Sequence, residues 1–226
     1  AVSAWAERHA RFGRLPFERL FGPAISYARN GFLLSPTIAE QWAAQVPLFA
    51  DQPGFAETFA PGGRAPAPGE LFRLPDHAAT LEKIADTRGE AFYRGELAAR
   101  LEAHAAAKGG ALRADDLAAH RADWVGTIDA PYRGYTVHEI PPNGQGVVAL
   151  IALGILEHFD MASLPADSAD SVHLQIEAVK LAFADAQAYV SDIEHMPVGP
   201  QHLLDRDYLR RRAALIDRNR ARPAFA

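Results

Sequence analysis

The stretch YRGYTVHEIPPNGQGVVALIALGILEHF, Tyr132–Phe159, decides how the fold is read. Tyr132–Ile140 mixes aromatic and β-branched residues with polar ones, as a pleated strand does. Pro141-Pro142 stops the strand, and Asn143-Gly144-Gln145-Gly146 forms a sharp link. Val147–Leu156 is then apolar apart from Gly154, which predicts a buried helix over Val147–Phe159. A strand turning abruptly into a buried helix marks an α/β chain. Just upstream, Trp124–Ile128 reads as a second strand, with Asp129-Ala130-Pro131 turning between the two. The result is a short antiparallel pair around 124–140. Tyr135, Val137 and Glu139 fall on one face, Thr136, His138 and Ile140 on the other. Neither face is cleanly apolar, so other structure is expected on both sides.

Helices dominate elsewhere. Ser168–Ser171 cap the longest, whose apolar stripe is Val172, Ile176, Val179, Phe183, Ala186 and Val190, spaced 4, 3, 4, 3, 4. Upstream, Trp5, His9 and Phe12 share a helical face, and Pro16 starts a helix carrying Phe17, Leu20, Phe21, Ile25 and Ala28. Ser35-Pro36 reads as an N-cap with proline at the first helical position, ahead of a helix over Thr37–Val46. Further helices are expected over Asp76–Arg88, Glu96–Ala107 and Asp115–His120, and one more in the tail around Tyr208–Ile216. The segment 47–72 is rich in proline and glycine and reads as a surface loop.

Composition bounds the chemistry. The 226 residues include 23 Lys plus Arg against 28 Asp plus Glu, a net charge of −5. With 49 % hydrophobic residues the chain is globular rather than disordered. It has no cysteine, which excludes a thiolate nucleophile, a zinc finger or an iron–sulfur cluster built from this chain. Mild acidity argues against nucleic acid as a partner. The one basic cluster, Arg206, Arg210, Arg211 and Arg212 followed by Arg218, Arg220 and Arg222, is interspersed with aspartates and reads as a solvated face. No apolar run is long enough for a membrane span. The N-terminal AVSAWAERHARF has no signal-peptide core and starts as if inside a helix, so the chain is expected to be a fragment.

Local motifs carry little chemistry. Gly144-Gln145-Gly146-Val147-Val148-Ala149 matches a dinucleotide fingerprint, but no second parallel strand follows it. It reads instead as a strand-to-helix joint that allows close packing. His173 and Glu177 lie four apart on one helix, which suits a mutual hydrogen bond better than a metal, and no metal site is expected. His195 and His202 fall in a proline-rich loop. There is no G-x-S-x-G and no S-x-x-K.

Four strings, taken in order, resemble one family: RFGRLPFERLFGPAISYARNGFLLSP, GGALRADDLAAHRADW, YRGYTVHEIPPNGQGVVALIALGILEHFDM and HLQIEAVKLAFADAQAYVSD. They look like successive segments of the gamma-glutamyltranspeptidase large subunit and cover most of the chain. The resemblance implies an N-terminal-nucleophile hydrolase with an αββα sandwich, to which residues 1–226 contribute a mostly helical part of one domain. It implies a precursor that cleaves itself into large and small subunits, with the small subunit as heterodimer partner. The nucleophile is then the small subunit's N-terminal Thr, and its own α-amine is the general base. No cofactor is implied. The family's donor-carboxylate Arg motif and its nucleophilic Thr both fall outside this sequence. No catalytic residue carries over, and the chain alone is expected to be inactive.

Two departures stand out. The family's Pro-Pro-x-Ser-Ser-Gly-Gly is here Pro141-Pro142-Asn143-Gly144-Gln145-Gly146, which looks more like the acylase-like branch. Asn143 and Gln145 are the candidate substrate-binding residues, their amides facing a cleft. The alternative is that they cap the helix beginning at Val147. Arg113 stands where the family often has Ser or Thr, which removes a hydroxyl cap from the helix at Ala114, a cost of ~1 kcal/mol. The leading expectation is γ-glutamyl transfer or hydrolysis on glutathione-like donors. An acylase or amidohydrolase for another amide, and a non-catalytic helical interaction module, are the alternatives. Family members are frequently periplasmic or secreted, and the sequence itself assigns no compartment.

Overall fold

A computed structural model describes residues 1–222. They form two compact units, one ending at Ala122 and one beginning at Asp123. Both are mostly helical, and each carries one short antiparallel strand pair.

The first unit begins with α1 (Val2–Phe12). The helix expected from Pro16 is split into a 3-10 turn, Phe17–Phe21, and α2 (Gly22–Asn30). Pro23 supplies no N–H to the Arg19 carbonyl, so the tighter Gly22 bond to that oxygen takes its place. Next come β1 (Phe32–Leu33) and α3 (Pro36–Phe49), whose N-cap Ser35 accepts from the Ile38 N–H at 3.4 Å. The loop-rich stretch contains α4 (Phe55–Phe59) and β2 (Leu71–Phe72), which pairs with β1. Helices α5 (Pro75–Asp86), α6 (Glu90–Arg94), α7 (Glu96–Ala107) and α8 (Ala114–Ala119) follow. Phe17 and Phe21 meet edge-on in a core with Val2, Ile84, Tyr93 and Leu97. At α8 the Asp116 carboxylate accepts from the Arg113 N–H at 2.9 Å, so an acid inside the first turn holds the end that lacks a hydroxyl.

The second unit holds the decisive stretch. The strand pair is β3 (Ile128–Tyr132) with β4 (Tyr135–Glu139), in register Ile128 to Glu139 and Tyr132 to Tyr135. The sequence expectation is corrected here, because Trp124–Thr127 is not strand and the turn is Arg133-Gly134. Both turn residues have positive φ, 49° and 83°, the geometry that matches the twist of a two-residue hairpin. Pro131, expected in a turn, sits inside β3 opposite Thr136.

α9 (Gly146–Leu156) packs on β3 and, along its length, on α10 (Ala169–Tyr189). Ser168 caps α10, its hydroxyl accepting from the Ser171 N–H. α11 (Pro200–Leu203) and α12 (Arg206–Ala213) close the unit, with α12 against α9. The core is Val147, Ile151, Ile155, Leu174, Leu181 and Leu203 with their neighbours.

The stripe on α10 is also corrected. Ala186 is buried and Phe183 and Val190 are partly so, but Val172, Ile176 and Val179 are 41 %, 53 % and 40 % exposed. The face turned to the core is Ser171, Leu174, Glu177, Ala178, Leu181 and Asp185. Small residues there let α9 approach closely, and the core face mixes apolar with buried polar side chains while the opposite stripe is apolar.

Candidate functional site

The link from β4 into α9 places the two residues singled out by sequence. Asn143 and Gln145 are both exposed. Neither caps the helix: Gln145 occupies the N-cap position, no side chain accepts there, and its carbonyl receives the Val148 N–H at 3.0 Å. The capping alternative is therefore not what the structure shows, and both amides are free to meet another molecule.

The glycines of this link have local reasons. A Cβ on Gly146 would lie 2.5 Å from Glu139 Oε2 and 2.9 Å from Glu139 Cβ, and one on Gly144 would lie 2.9 Å from Ile140 Cδ1. The Glu139 side chain thus lies against the start of α9, where a dinucleotide phosphate would sit. A carboxylate in that place repels an anion, and the helix leads to α10 rather than to a parallel strand. The glycines serve close packing.

Hydroxyl–imidazole pairs exist but are not assembled for nucleophilic attack. Thr127 Oγ1 lies 3.2 Å from His138 Nδ1, and Asp129 Oδ2 lies 4.0 Å from that same nitrogen. A working triad needs the hydroxyl and the carboxylate on opposite ring nitrogens. Ser3 Oγ lies 2.9 Å from His120 Nε2, but that ring is stacked on Tyr93, and no carboxylate contact is seen among the described residues. An apolar groove of about 620 Å³ between α3 and α4, lined by Trp42, Phe49, Phe55 and Phe59, carries no titratable group. Among the described residues, no three His, Asp or Glu side chains converge where a metal ion could be held.

The polar chemistry of the second unit is concentrated on α10. His173 and Glu177 do not bond each other as expected. His173 Nε2 is 2.8 Å from the Asp217 carbonyl, whereas Glu177, 1 % exposed, pairs with Lys180 at 2.6 Å. Burial pushes the Glu177 carboxyl up, but Lys180, the Arg222 N–H and His173 together outweigh it and hold it below the ordinary range. Just over two turns along the helix from Glu177, Asp185 is 3 % exposed. It accepts from Tyr208 Oη at 2.7 Å and pairs with Arg212 at 2.9 Å. Here burial wins over the Tyr208 bond and the Arg212 charge, so the Asp185 carboxyl is raised; burial and Asp185 in turn raise the Tyr208 phenol. The basic cluster is thus not a uniform solvated face, since Arg212 turns inward to an acid. Glu177 and Lys180 are three residues apart, but spacing alone gave no signal for the other partners, which lie 23 to 45 residues apart.

Ion pairs of this kind hold segments together, and none of them sets a nucleophile beside a base. A family model for Gamma-glutamyltranspeptidase matches residues 1–226, and the chain belongs to that family. It is 38% identical over 227 residues to the oxamate amidohydrolase proenzyme of Klebsiella pneumoniae subsp. pneumoniae, covering 98% of this chain and 43% of that protein. It is 35% identical over 215 residues to the glutathione hydrolase-like YwrD proenzyme of Bacillus subtilis, covering 95% of this chain and 41% of that protein. The cephalosporin acylase of Bacillus halodurans superposes with a TM-score of 0.89 at 45% identity, over 96% of this chain and 41% of that one. The chain therefore spans less than half the length of these relatives.

No described helix is long and apolar enough to cross a membrane.

Proposed function

We propose that this chain is a large-subunit portion of an amide-cleaving enzyme that hydrolyses or transfers γ-glutamyl groups. The nucleophile is an N-terminal Thr on a small subunit of the same precursor, outside this sequence. The observation that carries the reading is the match of the whole chain to the family, over less than half of its relatives' length, together with the uncovered apolar stripe Val172, Ile176 and Val179.

The chemistry follows from the groups. An α-amine with a pKa near ~8 accepts the Thr hydroxyl proton at neutral pH. The oxygen attacks the amide carbonyl, backbone donors stabilise the oxyanion, and the amine leaves with the proton. Water or an acceptor amine then releases the acyl group and restores the hydroxyl. The chain described here supplies helices that brace the αββα sandwich. Its stripe on α10 is covered by the remainder of the enzyme, and Asn143 and Gln145 present amides toward the substrate side.

A second reading, an acylase for a different amide, is favoured by Asn143-Gly144-Gln145-Gly146 in place of the serine pair and by the 45% identity to a cephalosporin acylase. The test is to express the complete precursor that contains this chain and to assay it on γ-glutamyl-p-nitroanilide and on a glutaryl amide. Turnover of the first supports γ-glutamyl chemistry, and turnover of the second alone supports the acylase. Turnover by residues 1–226 on their own refutes both.

A further inference from the structure

Among the described residues only three polar side chains are buried, Ser171, Glu177 and Asp185. Glu177 needs an explanation, because an apolar residue at this position would pack α10 as well without a desolvated charge. Its partners supply one. Both carboxylate oxygens lie 3.3 Å from the Arg222 N–H, and Lys180 Nζ, held by Glu177, donates to the Arg222 carbonyl. The two side chains grip the backbone of one residue, at its N–H and at its carbonyl. The segment before it is also held: His173 Nε2 meets the Asp217 carbonyl, and Arg222 Nε donates to the Leu215 carbonyl at 3.0 Å, closing the loop 215–222.

We propose that Glu177 and Lys180 form a two-point clamp on the Arg222 backbone that fixes how the tail after α12 is held against α10, and that they are positioning residues for cleavage of the precursor. The first half stands on this chain; the second rests on the function proposed above. Cleavage breaks one peptide bond with uptake of one water, leaving a carboxylate on the large subunit and an amine on the small one. That reaction requires the bond to be presented to the attacking hydroxyl in a fixed geometry. Holding both the N–H and the carbonyl of Arg222 fixes the backbone direction at that residue.

The experiment uses the complete precursor, as wild type and as Glu177→Leu/Lys180→Leu, which keeps the space filled. Glu177→Gln serves as a second variant that preserves shape. Hydrogen exchange should show the Arg222 amide exchanging about ten to a hundred times faster in the double variant, as for loss of a hydrogen bond to a charged group. Amides within α10 should be unchanged. Trypsin should cut faster at Arg218 and Arg220. Precursor cleavage should slow about tenfold or more at an unchanged unfolding midpoint, and Lys180→Arg should retain the wild-type rate. Unchanged exchange at Arg222 overturns the clamp. Faster exchange with an unchanged cleavage rate overturns the positioning role and leaves the clamp standing. A wild-type precursor that never cleaves overturns the proposed function and takes the positioning half with it, while exchange still decides the clamp.

Discussion

The sharpest quantitative consequence concerns Ile176→Ser. Ile176 is 53 % exposed, on the side of α10 opposite Leu174 and Ala178. Full burial of an Ile side chain contributes ~1.5–3 kcal/mol, so in residues 1–226 alone, where about half of it is covered, the substitution should cost about 1 kcal/mol. If the remainder of the enzyme covers the stripe, the whole side chain is removed from water. The serine hydroxyl is then buried as well, at a further ~1–3 kcal/mol. The loss in the complete protein should reach roughly 3 kcal/mol or more. Urea unfolding of both forms, followed by circular dichroism, measures the two losses, with Gln187→Ser at an exposed position of the same helix as control. Equal losses in the short chain and the complete protein would refute the reasoning, since the stripe would then face water in both.

Two further outcomes follow from the interior of the second unit. Arg212→Met leaves Asp185 buried without its counter-charge and should cost ~3–5 kcal/mol near pH 7, whereas Asp185→Asn should cost less because burial already opposes that charge. Asp185 has a folded pKa above its unfolded one, so its ionisation opposes folding at neutral pH and stability rises as pH falls through the folded value. Losing Arg212 raises that value further, so the Arg212→Met deficit should shrink in acid; a deficit that grows in acid in urea titrations contradicts the assignment. Gly146→Ala adds a Cβ 2.5 Å from Glu139 Oε2 and 2.9 Å from Glu139 Cβ. Overpacking of ~1–3 kcal/mol should exceed the ~1 kcal/mol gain in helix propensity, giving a lower unfolding midpoint.

What sequence revealed depended on range. Ser35 and Ser168 were legible as caps because the acceptor and the N–H it serves are three residues apart. The end of α7 was legible for the same reason, since the Gly110 N–H returns to the Ala105 carbonyl at 2.7 Å. The hairpin was misplaced because two turn signals compete within six residues. Arg133-Gly134 prevails because its two positive φ angles fit the strand twist, and proline is tolerated on this two-stranded edge. The stripe on α10 was found, but periodicity states only that a face is apolar and not which neighbour covers it. The clamp was invisible, since Glu177 and Arg222 are 45 residues apart and no local pattern links them.

These features converge on α10. One side meets α9 through small and apolar side chains, and two buried acids, Glu177 near its middle and Asp185 in its last turns, hold the tail and α12. The third side carries Val172, Ile176 and Val179 into solvent. A helix whose only function was to complete this unit would place polar residues there, since exposed β-branched side chains add no packing. A helix that must also seat a further layer needs that apolar face, and it needs the tail held so that the chain departs in one direction. The same requirement accounts for buried charge where an apolar residue would pack as well: Glu177 and Lys180 recognise a backbone peptide, which a hydrocarbon cannot do. Under the function proposed above, the chain would contribute to the family's chemistry by placement, with the reacting hydroxyl and amine brought to it by the rest of the enzyme.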